Sequence, residues 1–245
     1  IDNLKNYYDV NLKKYRLKIL KKFKNFKFAK IDISNMSSLK KIFKKFSPTY
    51  VLHFSAQAGV RYSIVKPEVY TDSNLVGFSN VLECCRKQKI KHLVMASSSS
   101  VYGANLQYPF KETDNVDHPI SFYAATKKSN ELMAHAYSHL YKIPITCLRL
   151  FTVYGPWGRP DMSLFLFTNA IIKNLPIKLF NKGKMLRDFT YIDDVVNSVS
   201  KITKKIPKKQ KFKNKKIPNA NLSLAPFKIF NIGNNKPIKL SLIHI

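Results

Sequence analysis

The sequence predicts an α/β fold, a parallel sheet wrapped on both faces by helices. Three observations carry this. Short apolar runs alternate with longer amphipathic stretches along residues 11–151. The chain has 245 residues, 45% of them hydrophobic, enough for a substantial core. No apolar run reaches the eighteen or so residues that a membrane span needs.

Taken in order, residues 11–23 read as a basic amphipathic helix and residues 28–33 as a short strand. A helix over 36–46 follows, with Ser34 or Asn35 as its cap. Residues 50–55, Tyr-Val-Leu-His-Phe-Ser, read as a buried strand. Residues 67–89 form a long helix, with Pro67 suited to its first turn. The strand at 92–96 runs into four serines, Ser97 to Ser100. A helix over 122–141 and a strand over 145–151 complete half of a doubly wound sheet, which binds ligands at the carboxyl ends of its strands. Beyond Thr152 the character changes. Helices are expected at 163–173 and 193–204, with strands at 177–180 and 227–232. Residues 204–216 hold eight lysines and Pro207, and read as a solvated loop rather than a nucleic-acid arm, since a single aromatic, Phe212, stands among them and folded segments flank them. There are no internal repeats.

The net charge of +29 would ordinarily suggest a nucleic acid or an anionic surface. Only six of the 43 basic residues are arginine, however, whereas phosphate- and base-reading surfaces draw on arginine forks. Lysine is spread along the whole chain amid many Asn, Ile and Phe, so a compositional bias accounts for the charge and no specific nucleic-acid partner is expected. The three cysteines, Cys84, Cys85 and Cys147, make neither a disulfide framework nor a zinc-ligand pair. His135 and His139 stand four apart on a helix without the glutamate of a zincin, so no metal is expected either. A reducing cytoplasm fits this set.

Tyr123 and Lys127 share a helix face, and the serine cluster ends a strand whose carboxyl edge converges on the start of that helix. A tyrosine, a lysine and a serine gathered there form a proton-transfer set. An ammonium beside Tyr123 would favour its phenolate, and with a second cation close by would bring a pKa of about 10 down toward neutrality. In a chain with 13 tyrosines, Tyr-x-x-x-Lys by itself also arises by chance.

With these motifs the sequence resembles the extended short-chain dehydrogenase/reductases, and among them the nucleotide-sugar epimerases acting on UDP-glucuronate. The resemblance rests on Ser97-Ser98-Ser99-Ser100-Val101-Tyr102-Gly103 with Tyr123 and Lys127, and on residues 53–63. It rests further on the discriminating stretch from Thr152 to Met162, Thr-Val-Tyr-Gly-Pro-Trp-Gly-Arg-Pro-Asp-Met, and on residues 187–194. It implies a Rossmann-like domain over 1–151 whose first strand and Gly-rich turn are missing, followed by a partial substrate domain over 152–245. It also implies that the chain is an internal piece of a longer enzyme, active as a homodimer.

By matching position, the resemblance makes Ser98, Tyr123 and Lys127 catalytic. NAD would meet Asp2, Asn3, Asp32, Ile33, Phe54, Ser55, Ala56, Gln57, Asn74 and Ser97, with Tyr123 and Lys127. A UDP-sugar would meet Ser98, Ser99, Tyr123, Thr152, Arg159 and Arg187. The implied reaction inverts carbon 4 of UDP-glucuronate through a transient ketone. The related dehydratases and decarboxylases carry an acidic residue where Ser99 and Ser100 stand, which counts against both. A non-catalytic basic remnant of the fold is the alternative from another class.

Overall fold

The computed structural model describes residues 1–177, 183–209, 221 and 223–239. The sequence expectations for residues 178–180 and 210–216 lie outside them. The principal sheet has the order β1 (Tyr50–His53), β2 (His92–Ser98), β3 (Ile145–Leu150) and β7 (Phe227–Ile232), and every pairing is parallel. Side chains alternate across this sheet and make two cores. Leu93, Met95, Ile145, Cys147, Phe227 and Ile229 pack with α2 (Met36–Phe46), α5 (Gly77–Gln88) and α6 (Phe122–Tyr141). Val94, Leu148 and Ile232 pack on the other face with Val195, Val199 and Ile202 of α8 (Ile192–Lys204). Helices on both faces make the sheet doubly wound, as expected.

The local signals explain most of these elements. Asn35 caps α2 by accepting the Ser38 N–H at 2.9 Å, and Ser121 caps α6 by accepting the Ala124 N–H at 3.1 Å. Helices α2, α5 and α6 each end on a left-handed residue, Ser47, Lys89 and Lys142. Glycine usually fills that position, but the chain has only seven.

Four expectations need correction. Residues 28–33 form no strand; a ladder needs a partner, and residues 1–2 offer only the bridge between Asp2 and Lys30. The segment at 50–55 is neither six residues long nor buried: β1 stops at His53 and lies at the sheet edge, with Leu52 50% exposed. The long helix over 67–89 is three pieces, α4 (Pro67–Tyr70), a π-helical turn over Thr71–Val76, and α5. The basic helix α1 (Val10–Leu20) buries none of its residues. The short helix α3 (Tyr62–Val65) precedes α4.

After Leu150 the chain builds features too short to leave a periodic signal. β4 (Thr152–Tyr154) pairs in parallel with β6 (Phe189–Tyr191), and β5 (Leu186–Arg187) pairs antiparallel with β8 (Ile238–Lys239). The apolar helix α7 (Ser163–Ile172) lies between β4 and β5.

Candidate active site

The carboxyl end of β2 and the first turn of α6 meet as the sequence suggests. Ser98 closes the strand, accepts the Ser100 N–H at 3.1 Å and stands near enough to the Tyr123 phenol to lower its pKa. The Tyr123 backbone N–H donates to Ser63 Oγ at 3.2 Å, which fixes the start of the helix. One turn on, Lys127 is 3% exposed and its ammonium donates to the Ala96 carbonyl at 2.8 Å.

The electrostatics depart from expectation. Burial raises the Tyr123 pKa, opposed by the hydrogen bond with Ser98 and by the charge of Arg159. The charge of Arg159 thus joins the groups acting on the phenol. Lys127 itself is pushed down to about 8 by burial, with Cys147 and Glu131 opposing. Nearby His53 is driven down to about 3, first by burial and then by the Lys127 charge, so it is a neutral ring stacked on Phe78.

A buried lysine with a lowered pKa costs stability while it is charged. Between pH 8 and its ordinary value of about 10.4, the unfolded chain binds more protons than the folded one, so stability rises with pH across that window. Below the folded value the full penalty applies, about 3 kcal/mol for a shift of this size. Lys127→Met is expected to be more stable than the parent near pH 7 by up to that amount, the gap closing as pH rises toward 10. Thermal unfolding across this range checks it; a pH-independent difference refutes the origin in charge burial.

Several of the residues expected at the dinucleotide are tied to one another by hydrogen bonds. Asn3 donates to Asp32 at 2.7 Å, and Asp32 also receives the Ser34 N–H and hydroxyl. Partial burial raises the Asp32 carboxyl, but the bonds from Ser34 and Asn3 outweigh it and leave its pKa below the usual range. Asp2 accepts the Leu4 N–H at 2.6 Å. Phe54 is exposed, Ser55 and Ala56 are half-buried, and Gln57 is buried. Asn74, on the π-helical turn, clamps Gln57 by accepting its N–H at 2.8 Å and donating to its carbonyl at 3.1 Å. The same amide donates to Thr126 Oγ1 at 3.0 Å, and Asn130 donates to the Asn74 carbonyl at 2.7 Å. The π-helical turn thus ties the 54–57 segment to the helix carrying Tyr123 and Lys127.

Two side chains expected at the cofactor are committed elsewhere. Ile33 belongs to the core, where it fills the space a Cβ on Gly77 would need. Ser97 points to the opposite side of the strand from Ser98 and donates to Glu131 at 2.6 Å. Glu131 in turn holds Arg149 through two bonds of 2.9 Å, with both side chains buried. Arg149 donates to the Tyr102 hydroxyl at 3.1 Å, and Tyr102 donates to Asn231 at 2.6 Å.

On the sugar side, Ser99 begins a single 3₁₀ turn beside Ser98. Thr152 and Arg159 line one recess with Met162 and Phe165. Arg159 makes two bonds to Asp161, of 3.0 and 3.1 Å, and Asp161 also receives the Tyr7 hydroxyl at 2.9 Å. Arg187 is exposed and donates to the Leu186 carbonyl, with Arg61 and Tyr108 as its electrostatic neighbours. Sequence reasoning missed Asp161 and a row of rings linking Tyr7, Tyr62, Tyr70 and Tyr123 at centroid spacings of 5.0, 6.2 and 6.1 Å. The Arg-Pro-Asp spacing hinted at the ion pair; nothing local pointed to Tyr7. Among the described residues no group of His, Cys, Asp and Glu could hold a metal, and no helix is long and apolar enough to cross a membrane.

Comparison with known proteins agrees with this geometry. Residues 2–218 match the model of the NAD dependent epimerase/dehydratase family. Protein CapI of Staphylococcus aureus is 54% identical over 240 residues, spanning 98% of this chain and 72% of that protein. A probable UDP-glucuronate 4-epimerase of Rhizobium meliloti is 46% identical, over 98% of this chain and 70% of its own length. The crystal structure of a UDP-glucuronic acid 4-epimerase from Bacillus cereus, in complex with UDP-glucuronic acid and NAD, superposes with a TM-score of 0.81. That match has 30% identity and covers 98% of this chain and 70% of that one. A Thermotoga maritima UDP-glucose 4-epimerase with UDP-glucose gives a TM-score of 0.79 at 26% identity, over 99% and 71% of the two chains.

Proposed function

The chain belongs to the NAD dependent epimerase/dehydratase family, and on that premise we propose that it interconverts UDP-glucuronate and UDP-galacturonate at carbon 4. The observation that carries this is the convergence of Ser98, at the end of β2, with Tyr123 and the buried Lys127 at the start of α6. Named UDP-glucuronate 4-epimerases among the relatives support the choice of sugar. Residues 1–151 are assigned to the cofactor and the remainder to the sugar nucleotide. The three buried thiols suit a reducing cytoplasm.

The residues fit the nicotinamide half of NAD. An ammonium has three donors, and the hydrogen bond of Lys127 to Ala96 engages one, leaving two for ribose hydroxyls. The Asn3–Asp32 pair would take the adenosine end. When bound, NAD supplies the hydride acceptor and donor. Tyr123 takes the proton of the 4-hydroxyl and returns it after the ring has turned, and Ser98 steadies the same oxygen. The raised pKa of Tyr123 means that cationic neighbours must stabilise its phenolate. Thr152 and Arg159 hold the sugar carboxylate. Restraining it matters because the ketone at carbon 4 makes the sugar a β-keto acid, which loses CO₂ when its carboxylate stands perpendicular to the carbonyl.

The complete gene product is expected to convert UDP-glucuronate to UDP-galacturonate without added reductant, as read by chromatography. Arg159→Ala should weaken preference for the acid sugar by about ten- to a hundred-fold and release UDP-pentose, the scale of a lost bond to a charged group. Conversion of UDP-glucose alone would move the substrate to a neutral sugar.

A further inference from the structure

The arginine that would receive the sugar carboxylate already holds one. Asp161 binds Arg159 through both of its oxygens, in the two-bond arrangement that a hexuronate carboxylate would itself adopt. Both side chains of the pair are only 29% exposed. Asp161 has a second, neutral donor in the Tyr7 hydroxyl, which arrives from a segment 154 residues away. Two further bonds hold these segments together, since Arg16 donates to the Trp157 and Gly158 carbonyls. Arg159 therefore has an anionic partner before substrate arrives, and Asp161 has a donor to fall back on when Arg159 leaves.

The geometry points to Asp161 as a positioning residue that trades places with the substrate carboxylate on Arg159. This rests on the acid-sugar reading above. An incoming carboxylate takes Arg159, and Asp161 remains on Tyr7. When the ketone must turn over, Asp161 reclaims the guanidinium, and the carboxylate leaves Arg159 with Thr152 still to restrain it. The arginine is paired throughout, and the Tyr7 hydroxyl reduces the cost to Asp161 of losing it. Without Asp161 the same arginine would hold the sugar more firmly and release it more slowly. A neutral sugar makes no such exchange and leaves the Arg159–Asp161 pair as it stands. Tyr7 suits the fall-back role because burial and its bond to Asp161 push its pKa up to about 12, so it stays a donor across the working range.

The test uses the complete gene product with NAD, in three forms: parent, Asp161→Asn and Tyr7→Phe. Asp161→Asn removes the competing anion, so the KM and calorimetric Kd for UDP-glucuronate should fall by about three- to ten-fold, with kcat falling by a similar factor. Tyr7→Phe removes the fall-back donor and ties Asp161 more closely to Arg159, so the Kd for UDP-glucuronate should rise by about two- to five-fold. The Kd for UDP-glucose should move less than about two-fold in either variant, since its sugar has no carboxylate. Opposite signs in the two variants, confined to the acid sugar, carry the proposal; simple loss of structure weakens binding of both sugars together. A parent that turns over UDP-glucuronate alongside an Asp161→Asn variant with unchanged or raised Kd overturns the exchange and leaves the substrate reading intact. A parent that does not act on UDP-glucuronate overturns both.

Discussion

Tyr123→Phe is expected to lower turnover by about 10²-fold or more, the usual scale for a lost general base, while leaving the fold in place. The substitution removes one oxygen, near Ser98 at the strand end, and keeps the ring that packs edge-on to Tyr70. The helix cap at Ser121 and the backbone bond to Ser63 are untouched. Loss of activity with an unchanged unfolding temperature therefore identifies a chemical role. The pH profile of the parent adds a second reading. Activity should climb as the phenol approaches deprotonation and fall as the Lys127 ammonium, with its pKa of about 8 in the unliganded chain, loses its proton. Near-parental turnover in the phenylalanine variant would remove Tyr123 from the mechanism.

The largest effect on stability is expected from Glu131→Ala. Ser97, Arg149 and Asn231 lie in one row across β2, β3 and β7, and Glu131 of α6 reaches down to two of them. The Arg149 side chain is completely buried. Removing the carboxylate strands that charge and deprives the Ser97 hydroxyl of its acceptor, a loss of about 3–5 kcal/mol. For a chain of this size that lowers Tm by about 10–15 °C. Replacing both partners, as Glu131→Leu with Arg149→Met, should recover much of the loss, because what hurts is the unpaired charge rather than the missing pair. If the single and double variants melt together, the ion pair is not the source of the effect.

What could be read in the residues divides by range. Helices α2, α6 and α8 and strands β2, β3 and β7 declared themselves through periodicity, caps and apolar runs, all of them local. The meeting of Ser98 with Tyr123 was legible because a parallel sheet brings strand ends and helix starts to one edge. The failures involve partners distant in the chain. Residues 28–33 have strand composition but little to pair with, and β4 and β6 are three residues each. The π-helical turn follows from what Asn74 must reach, Gln57 and Thr126, neither of which is a neighbour in sequence. Ser97 and Ser98 are indistinguishable as letters; only the pleat sends one to Glu131 and the other to Tyr123.

The left-handed residues that end α2, α5 and α6 have a wider meaning. Each is followed three positions later by the first residue of a strand: Ser47 by Tyr50, Lys89 by His92, Lys142 by Ile145. One joint is thus used three times, always at the end of the sheet away from Ser98 and Tyr123. Each serves with serine or lysine where glycine would bend more freely, so the architecture is set by the spacing of the joint and not by the identity of the residue in it. What the joint requires is a left-handed backbone, and serine and lysine supply it at a strain that glycine would not carry.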